Sequence, residues 1–413
     1  MESYRLMEQA ARPSNPRYRQ MTARAENIYK RQSDIRSEFG RDYTRILHSM
    51  AYRRLKHKTQ VFFCPQNDHI CTRIEHVSHV ESVSYTIADA LGLNTELTKA
   101  IATAHDLGHA PFGHLGEAIL SELCERDLGD AFWHERNGLR FADDIELLEN
   151  DKGVRKNLNL TYAVRDGIIS HCGEVDQNGL KPRSEAIDLA AYREKNQFAP
   201  FTWEACVVKF ADKIAYLGRD IEDAKTLGIL DNERIDELQG ILFQSPALRD
   251  IKIREINNTV LIHEFILDLC ENSALKKGIA LSADNFRAMK LIKDFNYKNI
   301  YRHPRLEPYS RYAQLVLTGL YDTLMKGYDG AQTPKQLRAL ARYYPQLAGQ
   351  FAEHLEQYWD LTLEQRRAEL KLGNRILYRV QENPRDYTMA VFDYLSGMTD
   401  SFAIRAYNEL ITF

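Results

Sequence analysis

Apolar residues recur every three or four positions along nearly the whole chain, and no stretch shows the sustained alternation of a half-buried strand. This spacing predicts an all-α fold. Helices are expected at about 42–57, 73–91, 95–106, 114–126, 135–150, 161–171, 203–226, 248–274, 283–297, 309–327, 334–343, 346–357, 361–373 and 385–410. The short run Val61-Phe62-Phe63, with Cys64-Pro65 after it, predicts an extended bend rather than a strand.

Two segments interrupt the helical pattern. Residues 1–40 are polar, rich in Arg and Tyr, and contain prolines early, so we expect a loosely packed N-terminal arm that could reach a neighbouring subunit. Residues 172–200 contain glycines and prolines and predict a long connection, a kind of segment that often covers a substrate site. The chain is therefore divided into this arm, a helical core at 41–230, and a C-terminal helical extension at 231–413 that packs on the core as one large unit.

Composition excludes several classes of protein. The chain has 413 residues, and its 44% hydrophobic content is sufficient for a substantial core. The 55 basic and 58 acidic side chains leave a net charge of -3, so any site for a polyanion must be local. We find no apolar leader and no apolar run of membrane-spanning length, which predicts a soluble, cytoplasmic protein with no membrane partner.

Cysteine and histidine are distributed differently. The six cysteines, at 64, 71, 124, 172, 206 and 270, form no Cys-x-x-Cys pair, which argues against a structural zinc site or a disulfide scaffold and predicts buried thiols. Of the 13 histidines, ten lie before residue 172. We therefore expect the chemistry in the N-terminal half.

The densest group of titratable residues is HDLGHAPFGHLGE, residues 105–117, directly after an apolar helix. It contains three histidines and two carboxylates. A packed core has no use for so many adjacent titratable groups, whereas imidazole and carboxylate together are typical ligands of a divalent metal. The adjacent pair His105-Asp106 at the helix end can direct both side chains at one ion.

Other helices offer groups that would complete such a site. His76 and His79 lie one turn apart on the helix 73–91, although a lone histidine such as His79 is more often packed or on the surface. Asp212 lies inside an apolar helix, and a buried Asp is rarely left without a partner or a metal. The helix face of Asp212 continues through Tyr216, Asp220 and Asp223. The two later carboxylates would alternatively form a solvated face paired with Arg219 or Lys225.

His76, the pair His105-Asp106 and the distant Asp212 match the H…HD…D pattern of the HD-domain metal-dependent phosphohydrolases. The chain further resembles the deoxyguanosine triphosphate triphosphohydrolase family. That resemblance rests on RDYTRILHS (41–49), AYRRL (51–55), KTQVF (58–62), HDLGHAPFGHLGE (105–117), ADKIAY (211–216) and DYLSGMTD (393–400). The resemblance implies an HD-domain helical core with additional C-terminal helices. It also implies hydrolysis of a deoxynucleoside triphosphate at the α-phosphorus, giving a deoxynucleoside and inorganic triphosphate.

Family roles then carry over residue by residue. The implied metal ligands are His76, His105, Asp106 and Asp212, with Mn²⁺ expected first and Mg²⁺, Fe²⁺, Co²⁺ or Ni²⁺ as alternatives. The implied acid/base dyad is His114 and Glu117, one helical turn apart and expected to hydrogen-bond. His109 fills the place of a further histidine near the leaving group, and which of His109 and His114 transfers the proton stays open.

The resemblance also implies substrate contacts. Arg73, Lys213 and His134 would contact phosphates, with a surface salt bridge as the alternative for the first two. Tyr216 would stack under the deoxyribose and exclude a 2'-hydroxyl, and Asp220 would hold the 3'-hydroxyl. Two positions depart from the family pattern: Arg219 replaces a histidine, and His79 replaces a glutamate.

The expected partners are a dNTP substrate, a dNTP effector and further copies of the chain in a homo-oligomer, from dimer to hexamer. A second interpretation within enzymes is an HD nucleotidase or alarmone hydrolase that releases orthophosphate or pyrophosphate. A third is a protein with an idle site that binds a nucleotide or single-stranded nucleic acid. The basic residues of its N-terminal segment would serve that binding: Arg12, Arg17, Arg19, Arg24, Arg31, Arg36 and Arg41.

Overall fold

The computed structural model describes residues 5–27, 34–63, 67, 69–171, 177–243 and 258–412, and confirms the all-α class. Within those ranges the α-helices are α1 (Tyr18–Met21), α2 (Glu38–His48), α3 (Met50–Arg54), α4 (Arg73–Leu91), α5 (Thr95–Ala104), α6 (Gly113–Leu128), α7 (His134–Arg140), α8 (Tyr162–Ser170), α9 (Trp203–Thr226), α10 (Asn232–Phe243), α11 (Asn258–Asn272), α12 (Ala283–Asn296), α13 (Glu307–Met325), α14 (Thr333–Leu340), α15 (Gln350–Glu356), α16 (Glu364–Glu369), α17 (Pro384–Ser396) and α18 (Asp400–Ile411). Strands β1 (Leu147–Glu149) and β2 (Arg155–Asn157) form an antiparallel pair with Leu147 opposite Asn157.

Several predicted helices are shorter or divided. The helix expected at 135–150 ends in a π turn at Phe141–Ile145, and β1 follows. The chain reverses between β1 and β2, where the Asn150 side chain accepts hydrogen bonds from the amides of Lys152 and Val154. The helix expected at 385–410 is interrupted between α17 and α18, where Thr399 caps α18 by accepting from Phe402 N. Helix α10 was not predicted, and the first ten residues of the predicted helix 248–274 lie outside the described ranges.

Three helices position the chemistry. Helix α5 packs against α4 and α9, and α4 also packs against α9. Val77, Val80 and Ile87 of α4 are buried against this core, which fixes the rotation of the helix and hence the direction of His76. A capping box between Thr72 and Glu75 begins α4, so its first turn is well defined.

The described part of the N-terminal segment differs from the predicted loose arm. In residues 5–27, Leu6, Ala10 and Met21 are buried in the core. The backbone is also tied down, because Ala11 N donates to Glu204 Oε1 on α9 at 2.8 Å. These contacts anchor the segment to the body of the molecule.

The long connection predicted at 172–200 is confirmed over its described part, residues 177–200, which contains one short 3-10 turn at Leu189–Ala191. Four cysteines, at 71, 124, 206 and 270, are buried free thiols as predicted, while Cys64 and Cys172 lie outside the described ranges. Val61, Phe62 and Phe63 form no strand. Among the described helices, none has the length and apolarity needed to cross a membrane.

Candidate active site

Three helices bring four predicted ligands together, and we call His76, His105, Asp106 and Asp212 the metal cage. His76 comes from the first turn of α4, His105 and Asp106 directly follow α5, and Asp212 comes from α9. His76 Nε2 lies 3.0 Å from Asp212 Oδ1, and His105 Nε2 lies 3.4 Å from Asp106 Oδ1 and 3.8 Å from Asp212 Oδ1. His76, His105 and Asp212 form a group whose ligand atoms all lie within 4.8 Å of one another. Asp106 borders that group at 3.8 Å from His76 Nε2.

The cage fits a divalent cation. His105 Nδ1 lies 2.6 Å from the carbonyl of Ala102, so this nitrogen donates and Nε2 keeps its lone pair. That Nε2 atom is buried and has no hydrogen-bond partner among the described residues. A buried nitrogen without a partner is costly, and a metal ion between it and the carboxylates would satisfy it.

The cage carboxylates are held in their ionised form. Burial alone would raise the pKa of Asp106, but His105, His109 and Arg73 hold it well below the usual range. Burial opposes ionisation of Asp212 as well, and the hydrogen bond from His76, followed by the neighbouring imidazole of His105, lowers the pKa of Asp212. Ionised carboxylate is the form that ligates a metal.

Arg73 belongs to the site rather than to a surface salt bridge. It is 2% exposed, and its Nη1 lies 3.1 Å from Asp106 Oδ2. Lys213, next to Asp212 on α9, is also buried. Neither cation therefore forms a surface salt bridge, and Arg73 places positive charge directly beside the cage.

A second group lies beyond Asp106, and we call His109, His114, Glu117 and His134 the proton-transfer cluster. Its four ligand-type atoms also lie within 4.8 Å of one another. His109 Nε2 lies 3.1 Å from Asp106 Oδ1, and its ring stacks on that of His134 with centroids 3.8 Å apart. Gly108 permits this approach, because a Cβ there would lie 2.1 Å from the backbone of α7.

The predicted hydrogen bond between His114 and Glu117 is replaced by another. Glu117 Oε2 lies 2.7 Å from His134 Nδ1 and 3.8 Å from His114 Nδ1. The reason is burial: the side chain of His114 is 70% exposed, whereas Glu117 and His134 are both buried. Oε1 of Glu117 accepts from Lys195 Nζ at 2.8 Å, so both of its oxygens are engaged.

The cluster contains one charged and one neutral buried imidazole. Burial alone would lower the pKa of His134, but Glu135 and Glu117 raise it to about 9. For His109, burial, Arg73 and His134 lower the pKa well below its usual range. A neutral His109 that donates from Nε2 to Asp106 keeps a lone pair on Nδ1, and that atom is buried without a hydrogen-bond partner among the described residues.

Asp220 and Asp223 on the face of α9 beyond the cage are buried rather than solvated, although the pairing that the alternative expected is present, with Arg219 Nε 3.6 Å from Asp223 Oδ1. Asp220 is 2% exposed and accepts from the Tyr301 hydroxyl at 2.5 Å, while Asp223 accepts from Cys71 N at 3.0 Å. Burial raises the pKa of Asp220 to about 7, partly opposed by the hydrogen bond from Tyr301. Tyr216, one turn before Asp220, is half-buried.

The two departures from the family pattern lie at the margin of the site. Arg219 Nη1 pairs with Glu222 at 3.3 Å, on a partly exposed surface of α9. His79 is half-buried, and burial, followed by the charge of Arg219 and the proximity of His76, lowers its pKa. His79 is in none of the groups of described residues that could hold a metal.

His171, at the end of α8, is a site residue that the sequence reasoning missed. Its Nδ1 lies 2.6 Å from the Ile168 carbonyl, and its ring centroid lies 5.1 Å from that of His105. Burial, then the proximity of His105 and of the cationic His134, lowers the pKa of His171 to about 3. A signal existed, since His171, like His105, directly follows an apolar helix. Tyr301 and Lys195 gave no such signal.

Comparison with known families agrees with this geometry. The model of the HD domain family matches residues 73–217, the span that carries the whole metal cage. The model of the phosphohydrolase-associated domain matches residues 279–350. Fold and site together define an HD-domain phosphohydrolase.

Curated relatives narrow the class further. A deoxyguanosinetriphosphate triphosphohydrolase-like protein of Caldanaerobacter subterraneus subsp. tengcongensis is 32% identical over 378 residues, covering 91% of this chain and 86% of the relative. A protein of the same name from Desulfatibacillum aliphaticivorans is 36% identical over 301 residues, covering 72% of this chain and 76% of the relative. A third, from Azoarcus sp., is 32% identical over 400 residues, covering 91% and 90%. The chain belongs to the deoxyguanosinetriphosphate triphosphohydrolase-like family.

Proposed function

We propose that this protein hydrolyses deoxynucleoside triphosphates, dGTP among them, to the deoxynucleoside and inorganic triphosphate in a metal-dependent reaction. One observation carries the proposal: the carboxylate of Asp106 faces the metal cage and also contacts His109 of the proton-transfer cluster at 3.1 Å. A phosphorus atom bound at the cage would therefore lie next to groups that can move a proton. The names of the relatives support the choice of substrate.

The cage would hold the metal through two imidazoles and two carboxylates, from His76, His105, Asp106 and Asp212. Mixed nitrogen and oxygen ligation suits Mn²⁺, which we expect first, and also Fe²⁺, Co²⁺, Ni²⁺ or Mg²⁺. The ion would polarise the α-phosphate and promote attack by water.

Protein groups would supply the rest of the chemistry. Arg73, Lys213 and the cationic His134 would offset negative charge that develops on the phosphate oxygens. Glu117 keeps His134 charged and oriented, while His109 and His114 are the two candidates for transfer of a proton to the leaving 5'-oxygen. Buried His109 is neutral, so a proton would have to reach its free Nδ1 before it could be passed to the leaving oxygen, and exposed His114 lies next to it with ring centroids 5.2 Å apart.

The sugar would lie along α9. Tyr216 would stack under the deoxyribose and exclude a 2'-hydroxyl, and Asp220, oriented by the Tyr301 hydroxyl, would hold the 3'-hydroxyl. The proposal also includes assembly into a homo-oligomer of two to six copies, a dNTP effector, and a cytoplasmic location.

A substrate panel tests the proposal. Purified protein is incubated with each of four dNTPs and four rNTPs, with each of the five metals in turn, and the phosphorus products are identified by ³¹P NMR. We expect inorganic triphosphate from at least one dNTP, and rNTP rates lower by about 100-fold, the discrimination typical of a pocket that must reject one hydroxyl. Asp212→Asn serves as the inactive control.

Other products would support the other interpretations. Orthophosphate or pyrophosphate without triphosphate would favour the nucleotidase or alarmone hydrolase. Tight nucleotide binding or single-stranded nucleic acid binding without turnover would favour the binding protein. Equal rates on ribonucleotides would leave the triphosphohydrolase intact but remove the role of Tyr216.

A further inference from the structure

The turn that carries His109 into α6 has an unfavourable backbone conformation. Phe112 is a non-glycine residue with φ +65, in the left-handed region, and Gly113 follows with φ +62. A side chain in this region raises the energy of the backbone, so surrounding contacts must hold the turn in place. Phe112 is buried, which means that water provides none of that support.

Asp400, the first residue of α18, provides the support directly. Its Oδ1 accepts a hydrogen bond from Phe112 N at 2.8 Å, and its Oδ2 accepts from Thr59 N at 2.8 Å. The carboxylate is 2% exposed. One buried side chain from the C-terminal end of the chain therefore fixes two backbone segments beside the site.

Lys58 and Arg73 complete the attachment. Lys58 is 2% exposed and its ammonium donates to the carbonyl of His109 and, at 2.9 Å, to that of Ser396. Arg73 donates from Nε to Thr59 O at 3.2 Å and from Nη1 to Asp106 Oδ2 at 3.1 Å. The segment around Thr59 is thus bonded to the turn, to the metal cage and to the C-terminal helices.

We propose that Asp400 is a positioning residue for the reaction, which fixes the turn 109–113 so that His109 stays aligned with Asp106. The inference rests on the proposed function for its kinetic consequences only. It also gives the C-terminal helices a role in the chemistry of the N-terminal half, since Asp400 is far from the substrate groups in sequence and acts through backbone amides.

The test compares Asp400→Asn with Glu409→Gln. The amide nitrogen that the first substitution introduces would face one of the two N–H groups, so one hydrogen bond is lost without a change in size. Glu409 is a matched control, because it lies on the same helix and its carboxylate also accepts from two backbone amides, those of Gln346 and Leu347 at 3.0 Å each. Within the described part of the chain, Glu409 forms no hydrogen bond with the turn 109–113.

We expect kcat of Asp400→Asn to fall about 10- to 100-fold, because small misplacements of reacting groups lower the rate by such factors. KM and the affinity for Mn²⁺ alone should stay within about twofold of wild type, because the cage ligands remain. Glu409→Gln should keep kcat within about twofold of wild type. A similar kcat in the two variants, or a parallel loss of Mn²⁺ affinity, would overturn the proposal.

Hydrogen exchange followed by mass spectrometry gives a second readout that needs no activity. The amides of residues 106–116 should exchange about tenfold faster in Asp400→Asn than in wild type. In Glu409→Gln their exchange rates should be unchanged. If wild type hydrolyses no dNTP, the proposed function fails while this measurement still decides the role of Asp400. If Asp400→Asn does not fold, Lys58→Met removes the bond to the His109 carbonyl and must show the same local increase; unchanged exchange in it rejects the proposal.

Discussion

The metal cage and the proton-transfer cluster lie side by side, but the hydrogen-bonding and charge partners of their side chains differ. In the cage, ligand atoms face one another at 3.0 to 3.8 Å, and the buried Nε2 of His105 has no hydrogen-bond partner among the described residues. In the cluster, both oxygens of Glu117 are engaged, by His134 at 2.7 Å and Lys195 at 2.8 Å. The cage could therefore take a cation, whereas the carboxylate of the cluster is already paired on both oxygens, although Nδ1 of His109 is likewise without a partner among the described residues.

This difference assigns the two groups different sensitivities. A ligand set that requires a cation should lose its function abruptly when one ligand is removed, because the remaining groups bind the ion poorly. A cluster of paired charges should lose rate by degrees, according to how directly each side chain touches the reacting atoms. Asp106 belongs to both groups, since it faces His105 at 3.4 Å and His109 at 3.1 Å.

The largest effect is expected from the cage. His105→Ala and Asp106→Ala should each weaken Mn²⁺ binding by more than about 100-fold, since loss of a mere supporting contact to a ligand already costs about 10- to 100-fold. Hydrolysis should fall to the level without metal. Metal per chain is measured by plasma mass spectrometry after dialysis, together with dNTP turnover.

His48→Ala is the control for these cage variants, because His48 is an exposed histidine of α2 that is in none of the candidate metal groups. It should bind Mn²⁺ and turn over substrate as wild type does. Full metal occupancy and activity in His105→Ala or Asp106→Ala would show that the ligand assignment is wrong.

A smaller effect is expected in the proton-transfer cluster. His114→Ala should keep its metal and lose about 10²- to 10⁴-fold in kcat, the range typical of general acid/base catalysis. Glu122→Ala, an exposed change on the same helix, is the control and should be neutral. Turnover by His114→Ala equal to wild type would remove His114 from the dyad, and a loss in His109→Ala alone would assign the proton transfer to His109.

For a physical reason, the sequence predicted which side chains lie together in the cage better than it predicted the contacts within the cluster. The cage ligands are few, are of the residue types a metal requires, and lie on helices whose apolar faces fix their direction, as His76 does on α4. The predicted hydrogen-bond partner of Glu117 was wrong, because helical spacing alone places His114 nearest to it. Burial instead selects His134, which reaches Glu117 from α7.

Contacts between distant segments account for the rest. The hydrogen bond between Tyr301 and Asp220 joins residues 81 positions apart, and the one between Asp400 and Phe112 joins residues 288 positions apart. No local sequence pattern predicts such pairs. The helical class followed from periodicity, but the boundaries did not. Side-chain bonds such as that of Thr399 to Phe402 N begin a new helix where the apolar pattern alone would continue the previous one.

The smallest effect is expected at the rim of the cluster, where Lys195 of the long connection reaches Glu117. The Lys195 side chain is 47% exposed, so its ion pair is screened by water and is worth up to about 1 kcal/mol. Lys195→Met should therefore lower kcat/KM about two- to fivefold, since about 1.4 kcal/mol corresponds to a tenfold change. The loss should shrink as salt is raised.

Lys181→Met, at an exposed lysine of the same connection, is the matched control. Equal kinetics in the two variants would mean that His134 alone suffices to orient Glu117. A loss above about 100-fold in Lys195→Met would mean that Lys195 contacts the transition state. In that case the cluster is not complete by itself, and it would resemble the cage in depending on a charge brought from outside.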